Sequence, residues 1–167
     1  MLKKIKESAN SFLSEIEKLL EVHSIDVSNY YLDHMCYRVD TKSRYSELLS
    51  IISNEGELLS ESIVGGRPIT TFKINCFASY LGQEISVVEI PSPKDSNLYV
   101  EGFEHVEFVI DCSLASFIKK YSEVNFDVKN IDKIINPEVR LRNSENSISI
   151  KFHTESLENI IAQEKKK

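Results

Sequence analysis

Hydrophobic and polar residues alternate along four stretches of the chain, in the pattern typical of half-buried β-strands. The stretches are DHMCYRV, ISVVEIP, EHVEFVI and SISIKFH. Because successive side chains of a strand point to opposite faces, each stretch has an apolar face for a core and a second face with ionisable groups. Those groups are His34 and Arg38, Glu89, His105 and Glu107, and Lys151 and His153. The pattern predicts strands that line a polar cavity, of a kind that suits a metal ion.

Apolar residues recur at helical spacing in four other segments. The first is residues 2–22, where one stripe carries Leu2, Ile5, Phe12, Leu13, Ile16, Leu19 and Leu20. TKSRYSELLSIISN predicts a second helix with Thr41 as its N-cap, and CSLASFIKKYSEV predicts a third with Asp111 as its cap. TESLENIIAQE predicts a helix near the end of the chain, with a Thr/Glu capping pattern around Thr154.

Shorter strand-like runs complete two similar halves. ELLSESI and, after the Gly65–Gly66 turn, RPITTFKI precede ISVVEIP, while FDVKNI and EVRLRN precede SISIKFH. Each half then has the element order βαβββ, which indicates an internal duplication. We therefore predict an α+β fold with modules at 31–93 and 101–153, inside a single domain of residues 1–167. Residues 1–30 form an N-terminal helical extension and residues 154–167 a C-terminal helix. A pseudo-twofold relation would bring the four ionisable strands around one concave surface.

Charge and cysteine content argue against several classes of function. The formal net charge is −6 and the basic residues cluster only in the C-terminal KKK, so we expect no sequence-independent binding to nucleic acid or anionic lipid. The N-terminal segment contains lysines but no uninterrupted apolar run, which argues against a secretory signal or a membrane span. Three widely spaced cysteines do not suggest a disulfide framework. We expect a cytoplasmic protein.

Several motifs in order resemble one protein family over about residues 30 to 164. They are DHMCYR, GELLSES followed by GRPI and TFKI, VVEIPSP, EGFEHVEFVI, and IKFHTESLENIIAQE. This set is similar to the YecM family, a small bacterial branch of the vicinal oxygen chelate superfamily. The resemblance implies a cupped, partly open mixed β-barrel that binds a divalent metal and acts on a small molecule with vicinal oxygens. Members of that superfamily include glyoxalase I, extradiol dioxygenases, and resistance proteins that bind without catalysis.

The same resemblance implies a set of metal ligands. His34 matches the first ligand of the superfamily pattern, Glu89 the second and His105 the third. Lys151 stands where the fourth ligand, a carboxylate, is expected, and a protonated lysine has no lone pair for a metal. His153, two residues further along the same face, is the alternative ligand. Zn, Mn, Fe and Ni all suit such a set, so the identity of the ion stays open.

The remaining ionisable residues suggest catalytic and binding roles. Glu107 shares a face with His105 and is a candidate general base. Lys151 is a candidate to hold an anionic substrate, or to act deprotonated beside the cation. Arg38 and Arg67 are candidates to neutralise a substrate carboxylate or phosphate. The structural alternatives are a capping or packing role for His153 and a surface ion pair for Arg67 across a hairpin.

Three functions follow from these observations. The first is a metal-dependent lyase, isomerase or dioxygenase-like enzyme acting on a small oxygenated metabolite. The second is a metal-free protein of the same fold that binds a small anion, which the lysine at position 151 favours. The third is an interaction protein that docks through its terminal helices, which requires an exposed apolar stripe. A monomer and a homodimer are both compatible with the sequence.

Overall fold

The computed structural model describes residues 1–94, 100–143 and 147–166, so Lys167 of the basic tail lies outside the described residues. The helices are α1 (Leu2–Val22), α2 (Lys42–Ile52), α3 (Leu114–Lys120) and α4 (Leu157–Glu164). The strands are β1 (Tyr31–Arg38), β2 (Glu57–Val64), β3 (Arg67–Tyr80), β4 (Gln83–Pro91), β5 (Gly102–Val109), β6 (Val139–Arg142) and β7 (Ser149–His153). The predicted α+β class is confirmed, as are the helix over residues 2–22 and the helix near the end of the chain.

The chain divides into two compact units. The first contains Met1–Phe12 and His34–Glu104, and the second contains Leu13–Asp33 and His105–Lys167. The division passes through α1, β1 and β5. Among the described residues, none of the helices is both long and apolar enough to cross a membrane.

In the first unit the strands lie in the order β2, β3, β4, β1. Two antiparallel hairpins join β2 to β3 and β3 to β4, while β1 runs parallel to β4. The predicted order βαβββ is confirmed here. Thr41 is the N-cap of α2, as predicted, and its hydroxyl accepts a hydrogen bond from the backbone N–H of Arg44. Helix α2 buries Tyr45, Leu48 and Ile52 in the core.

In the second unit the order is β5, β7, β6, with β5 parallel to β7 and β6 antiparallel to it. Aromatic side chains fill the core: Phe117 packs against Phe152 with ring centroids 4.5 Å apart, and Phe108 stacks on Phe152 at 5.9 Å. Such pairs contribute about 0.5–1.5 kcal/mol each beyond their buried area. The first strand therefore runs parallel to the last strand in both units, which supports the predicted duplication.

The second unit differs from the prediction at FDVKNI. In the described chain this run forms only an isolated bridge between Asp127 and Arg140. The Asp127 carboxylate accepts a hydrogen bond from the backbone N–H of Lys129 and also binds the Arg142 guanidinium. A side chain that satisfies nearby backbone donors in this way competes with the ladder of a strand. The second unit is thus βαββ with a bridge.

The helix caps in the second unit also differ from the prediction. Ser113, not Asp111, caps α3 and accepts a hydrogen bond from the backbone N–H of Ser116. Ser156 caps α4 and accepts from Asn159. Each helix begins at the residue after its serine, because a serine hydroxyl satisfies one of the first free backbone donors of a helix.

The apolar stripe of α1 is buried. All seven of its predicted members are at most 8% exposed, and Phe12 stacks on Phe103 with centroids 5.2 Å apart. Burying a leucine or isoleucine side chain contributes about 1.5–3 kcal/mol. This helix therefore serves the core, and it offers no exposed stripe for a docking partner.

Candidate functional site

In the first unit, the buried His34 pairs with the partly exposed Glu89 on the parallel strands β1 and β4. The register sets His34 opposite Val87 and Cys36 opposite Glu89. Nε2 of His34 lies 3.7 Å from Oε2 of Glu89, and their side chains are 1% and 17% exposed. Two donor atoms that are each about 2.1 Å from one ion can lie up to about 4 Å apart. The pair therefore fits a divalent metal in both ligand type and spacing.

In the second unit, Lys151 takes the register position that Glu89 has in the first. His105 lies opposite Ser149 on the parallel strand β7, and Glu107 lies opposite Lys151. Lys151 is thus two residues beyond the partner of His105, as Glu89 is two residues beyond the partner of His34. Glu107 correspondingly takes the position of Cys36. The second unit pairs its histidine with an ammonium group and adds a carboxylate.

Lys151 lies at the centre of a buried polar cluster, which we call the lysine cluster: His105, Glu107, Glu138, Lys151 and His153. Its Nζ is 2.9 Å from Nε2 of His105 and 3.8 Å from Oε2 of Glu138, and it forms an ion pair with Oε1 of Glu107. An ammonium group has three donors and no acceptor. When Lys151 is protonated, Nε2 of His105 accepts this hydrogen bond, and the same nitrogen lies 3.2 Å from Oε1 of Glu107.

This hydrogen bond affects how well His105 fits a metal. The lone pair on Nε2 that would bind an ion is directed at Lys151. Nε2 of His105 can bind a metal only when it gives up that hydrogen bond, whereas Nε2 of His34 and Oε2 of Glu89 already have a spacing that fits an ion. The two halves of the ligand set that the superfamily pattern implies are therefore chemically unequal.

Glu138 is held ionised within the lysine cluster. Burial by itself raises the pKa of its carboxyl, but attraction to the Lys151 ammonium, with the hydrogen bond from Asn130 and the charge of Arg140, outweighs burial and lowers the pKa. Arg140 Nη2 donates to Oε1 of Glu138 at 2.8 Å. The cluster thus balances two buried carboxylates, Glu107 and Glu138, against Lys151 and Arg140.

His153 is fully buried beside this cluster. Its Nδ1 donates to Oδ1 of Asn136 at 2.9 Å, and its Nε2 lies 3.6 Å from Oε2 of Glu107 and 4.0 Å from Oδ2 of Asp33. Asp33 in turn accepts from the backbone N–H of Leu157 at the start of α4. His153 therefore links β7 to the loop that contains Asn136. Its role as a metal ligand stays a prediction.

The two predicted substrate-binding arginines lie in the first unit. Arg38, whose side chain is 14% exposed, is at the end of β1 with Nη1 3.9 Å from Oε1 of Glu104. Arg67 is the first residue of β3 and donates from Nη1 to the backbone carbonyl of Ser92 at 3.2 Å. Arg67 thus lies at the hairpin turn, and it shares a cavity with Lys42 and Lys94.

Several members of these networks were not among the predicted residues. Glu138 begins the EVRLRN run, Asp33 immediately precedes His34, and Asn136 lies in a loop with a positive φ of 49°. Asp33 and Glu138 could have been found as acidic residues inside or directly beside a predicted strand. Nothing local indicated Asn136, because its partner is 17 residues away.

A second charged network in the first unit was also missed. The Arg44 guanidinium binds the Glu101 carboxylate through Nε and Nη2 at 2.9 and 2.8 Å, and the Tyr37 hydroxyl donates to Oε1 of Glu101 at 2.9 Å. The hydrogen bonds from Arg44 lower the pKa of Glu101. Burial, with the Glu101 carboxylate, raises the pKa of Tyr37. This network ties α2 to the segment that precedes β5.

Comparisons with known proteins identify relatives of this chain. The family model described as YecM protein matches residues 1–164. Protein YecM of Escherichia coli strain K12 is 25% identical over 168 residues, covering 92% of this chain and 88% of that protein. An uncharacterised protein of Haemophilus influenzae is 31% identical over 99 residues, covering 59% of this chain; the match spans 52% of that protein, about half its length.

Solved structures share the fold. The structural genomics structure of Protein EC4020 is 24% identical, with a TM-score of 0.79 and coverage of 97% of this chain and 92% of that one. Methylmalonyl-CoA epimerase of Streptomyces coelicolor is 13% identical, with a TM-score of 0.51 and coverage of 76% and 95%. At these identities the likeness concerns the fold alone.

Proposed function

Since the chain belongs to the YecM family, we propose that it binds a divalent metal ion through His34 and Glu89 and acts on a small oxygenated metabolite. The observation that carries this proposal is the pair of the buried His34 and the partly exposed Glu89, with Nε2 and Oε2 3.7 Å apart on adjacent parallel strands. An imidazole nitrogen and a carboxylate oxygen suit Zn, Mn, Fe and Ni. The superfamily pattern adds His105 as a third ligand and His153 as an alternative to Lys151.

The chemistry that such an ion supplies when bound is polarisation of a carbonyl or enediolate oxygen. Glu107 is the proposed proton acceptor, and Lys151 supplies a positive charge for an anionic substrate oxygen. Their ion pair supports this assignment, because it holds an acceptor and a cation together in a buried, low-dielectric place. Arg38 and Arg67 are proposed to bind acidic groups of the substrate. The reaction type that we propose is a lyase, isomerase or dioxygenase-like step.

A second function is favoured by the lysine cluster. The Lys151 ammonium is hydrogen-bonded to Nε2 of His105 and forms an ion pair with Glu107. In a metal-free protein this ammonium replaces the ion as a fixed positive charge, and the ligand is a small anion. The buried stripe of α1 removes the support for docking through that helix.

Metal analysis of untagged protein, purified without chelator, separates the two functions. We expect near-stoichiometric metal in the wild type and in His23→Ala, a control histidine outside both clusters, and its loss in His34→Ala and Glu89→Gln. Loss in His105→Ala as well would support the third ligand. Absence of metal in the wild type, with no thermal shift on adding Zn, Mn, Fe or Ni salts, would refute the first function and leave the second.

We propose a reducing compartment as the setting of this protein. In the part of the chain that the structure describes, Cys36, Cys76 and Cys112 form no disulfide, which supports a reducing compartment such as the cytoplasm. We propose a small molecule as the ligand, and a monomer or a homodimer as the working state.

A further inference from the structure

We propose that the Lys151 ammonium has two positions, one on His105 and one on Glu138, and that Glu138 is a positioning residue that receives Lys151 when His105 binds the metal ion. This inference rests on the proposed function, because it concerns the regulation of the same metal site. Glu138 is outside the ligand set that the superfamily pattern implies, so the role is specific to the contacts within the second unit.

The first observation is the hydrogen bond between Lys151 and His105. Nζ lies 2.9 Å from Nε2 of the imidazole, and a metal ion would bind that nitrogen through the same lone pair. One lone pair serves one cation at a time, and two cations that compete for it also repel each other. Metal binding by Nε2 of His105 therefore requires the ammonium to move away.

The ion pair with Glu107 restricts where the ammonium can go. Lys151 and Glu107 are 8% and 2% exposed, and a buried charge that loses its partner destabilises the protein strongly. Oε1 of Glu107 contacts both Nζ of Lys151 and, at 3.2 Å, Nε2 of His105. Glu107 can therefore keep its ion pair while the ammonium turns away from the imidazole.

A second carboxylate, that of Glu138, lies within reach of the ammonium. Its Oε2 is 3.8 Å from Nζ of Lys151, which is too far for a hydrogen bond. A shift of Nζ by about 1 Å would give a charge-assisted hydrogen bond of roughly 2.8 Å. The flexible four-carbon stem of lysine allows such a shift without a change in the strand. Glu138 is thus a suitable acceptor for the displaced ammonium.

Glu138 is held in place by groups other than Lys151. Its Oε1 accepts from Nη2 of Arg140 at 2.8 Å and from Nδ2 of Asn130 at 3.0 Å. Its backbone N–H donates to the carbonyl of Asn130 at 3.2 Å. Since these bonds involve Oε1 and the backbone, they persist when Oε2 binds Lys151. Glu138 therefore needs no rearrangement to receive the ammonium.

The two positions correspond to two states of the site. With Lys151 on His105, the ammonium is a fixed positive charge that suits a small anion. With Lys151 on Glu138, Nε2 of His105 is released for the ion. The apparent affinity for the metal is then reduced by the fraction of molecules in which Lys151 has left His105. Glu138 increases that fraction, so it strengthens metal binding without contacting the ion.

Isothermal titration calorimetry of the metal-free full chain with zinc chloride, and in parallel with manganese, iron(II) and nickel chlorides, tests the first step through a double-mutant cycle. The background is Glu107→Gln, which avoids an unpaired carboxylate. Adding Lys151→Met should strengthen binding at least about tenfold, the effect of one hydrogen bond to a charged group. The gain should vanish when His105→Ala is also present. An equal gain without His105 would indicate general repulsion of the ion and would refute the proposal.

A second cycle tests Glu138. Glu138→Gln should weaken metal binding at least about tenfold in the wild type and have little effect in Glu107→Gln with Lys151→Met. Glu138→Asp, which keeps the charge on a shorter stem, should give a smaller loss. The exposed Glu17→Gln is the control and should change neither background. A direct attraction between Glu138 and the ion would persist without Lys151, so equal losses in both backgrounds would also refute the proposal.

The wild type separates this inference from the proposed function. Metal binding that is lost in His34→Ala but does not respond to Glu138→Gln or to removal of Lys151 would leave the proposed function intact and overturn the two positions of Lys151. No binding of any of the four metals by the wild type would overturn both. Circular dichroism of each metal-free variant verifies that it is folded.

Discussion

The Lys151 ammonium lies 2.9 Å from Nε2 of His105, at the register position that Glu89 holds beside His34 in the other unit. The two units share the parallel pairing of first and last strands but differ in charge at this point. The residue beside the histidine is the carboxylate Glu89 in the first unit and the ammonium group of Lys151 in the second. Glu107, which stands at the position of Cys36, balances that positive charge. The units are therefore equivalent in topology and different in chemistry.

Lys151→Met should destabilise the protein strongly. The substitution leaves Glu107 and Glu138 buried without their shared cation, and removing one partner of a buried ion pair typically costs about 3–5 kcal/mol. Urea unfolding followed by circular dichroism measures the change. Adding Glu107→Gln should recover most of the loss, because it removes the unpaired charge, and the exposed Lys18→Met should have little effect. A single variant as stable as the wild type would contradict the ion pair.

Lys151→Glu should make the second unit depend on a cation. The new carboxylate would lie beside Glu107 and Glu138, so mutual repulsion lowers stability until a positive ion binds. A ligand at 100 times its Kd stabilises a folded protein by about 2.7 kcal/mol. Thermal melts with and without Mn or Zn should show a larger metal-induced shift than the wild type. Equal shifts in the two proteins would argue against a metal position at this point of the unit.

Glu138 should contribute to stability in a pH-dependent way. Attraction to Lys151 outweighs burial and lowers its pKa below the usual 4.5 in the folded protein, so its contribution is complete above pH 4.5 and is lost as the pH falls through the lowered pKa. The free energy of unfolding should therefore decline less steeply on acidification in Glu138→Gln than in the wild type. Exposed Glu17→Gln serves as the control. Parallel pH profiles for the wild type and Glu138→Gln would rule out this contribution.

Glu101→Gln should destabilise the first unit by about 1–3 kcal/mol, because it weakens the bidentate pair with Arg44 and the hydrogen bond from Tyr37. Glu47→Gln is a matched control, since Glu47 binds the same guanidinium but its side chain is 52% exposed. Its effect should stay below about 1 kcal/mol. Denaturant unfolding of both variants gives the comparison, and equal losses would show that burial does not distinguish the two carboxylates.

The sequence by itself determined the elements whose burial is periodic. Alternation located β1, β4, β5 and β7, and the helical stripe located α1, because the side chains that face a core must repeat with the period of the backbone. The same alternation put His105 and Glu107, and Lys151 and His153, on common faces, which agrees with the contacts that Glu107 makes with the other three. Alignment of the two halves also predicted that Lys151 stands at the position where a carboxylate is expected.

Tertiary structure alone decided the contacts between distant segments. Glu138, the residue before β6, contacts Lys151, and Asn136 contacts His153 from a loop. Asp33 accepts from the backbone N–H of Leu157, 124 residues away. FDVKNI has strand-like composition, yet local hydrogen bonds to Asp127 reduce it to a bridge. The periodicity of apolar residues shows which face of an element is buried, whereas the contact partners of a side chain depend on strand register and packing. The ionisable faces of the strands were therefore predictable, whereas the hydrogen bond between Lys151 and Nε2 of His105 was not.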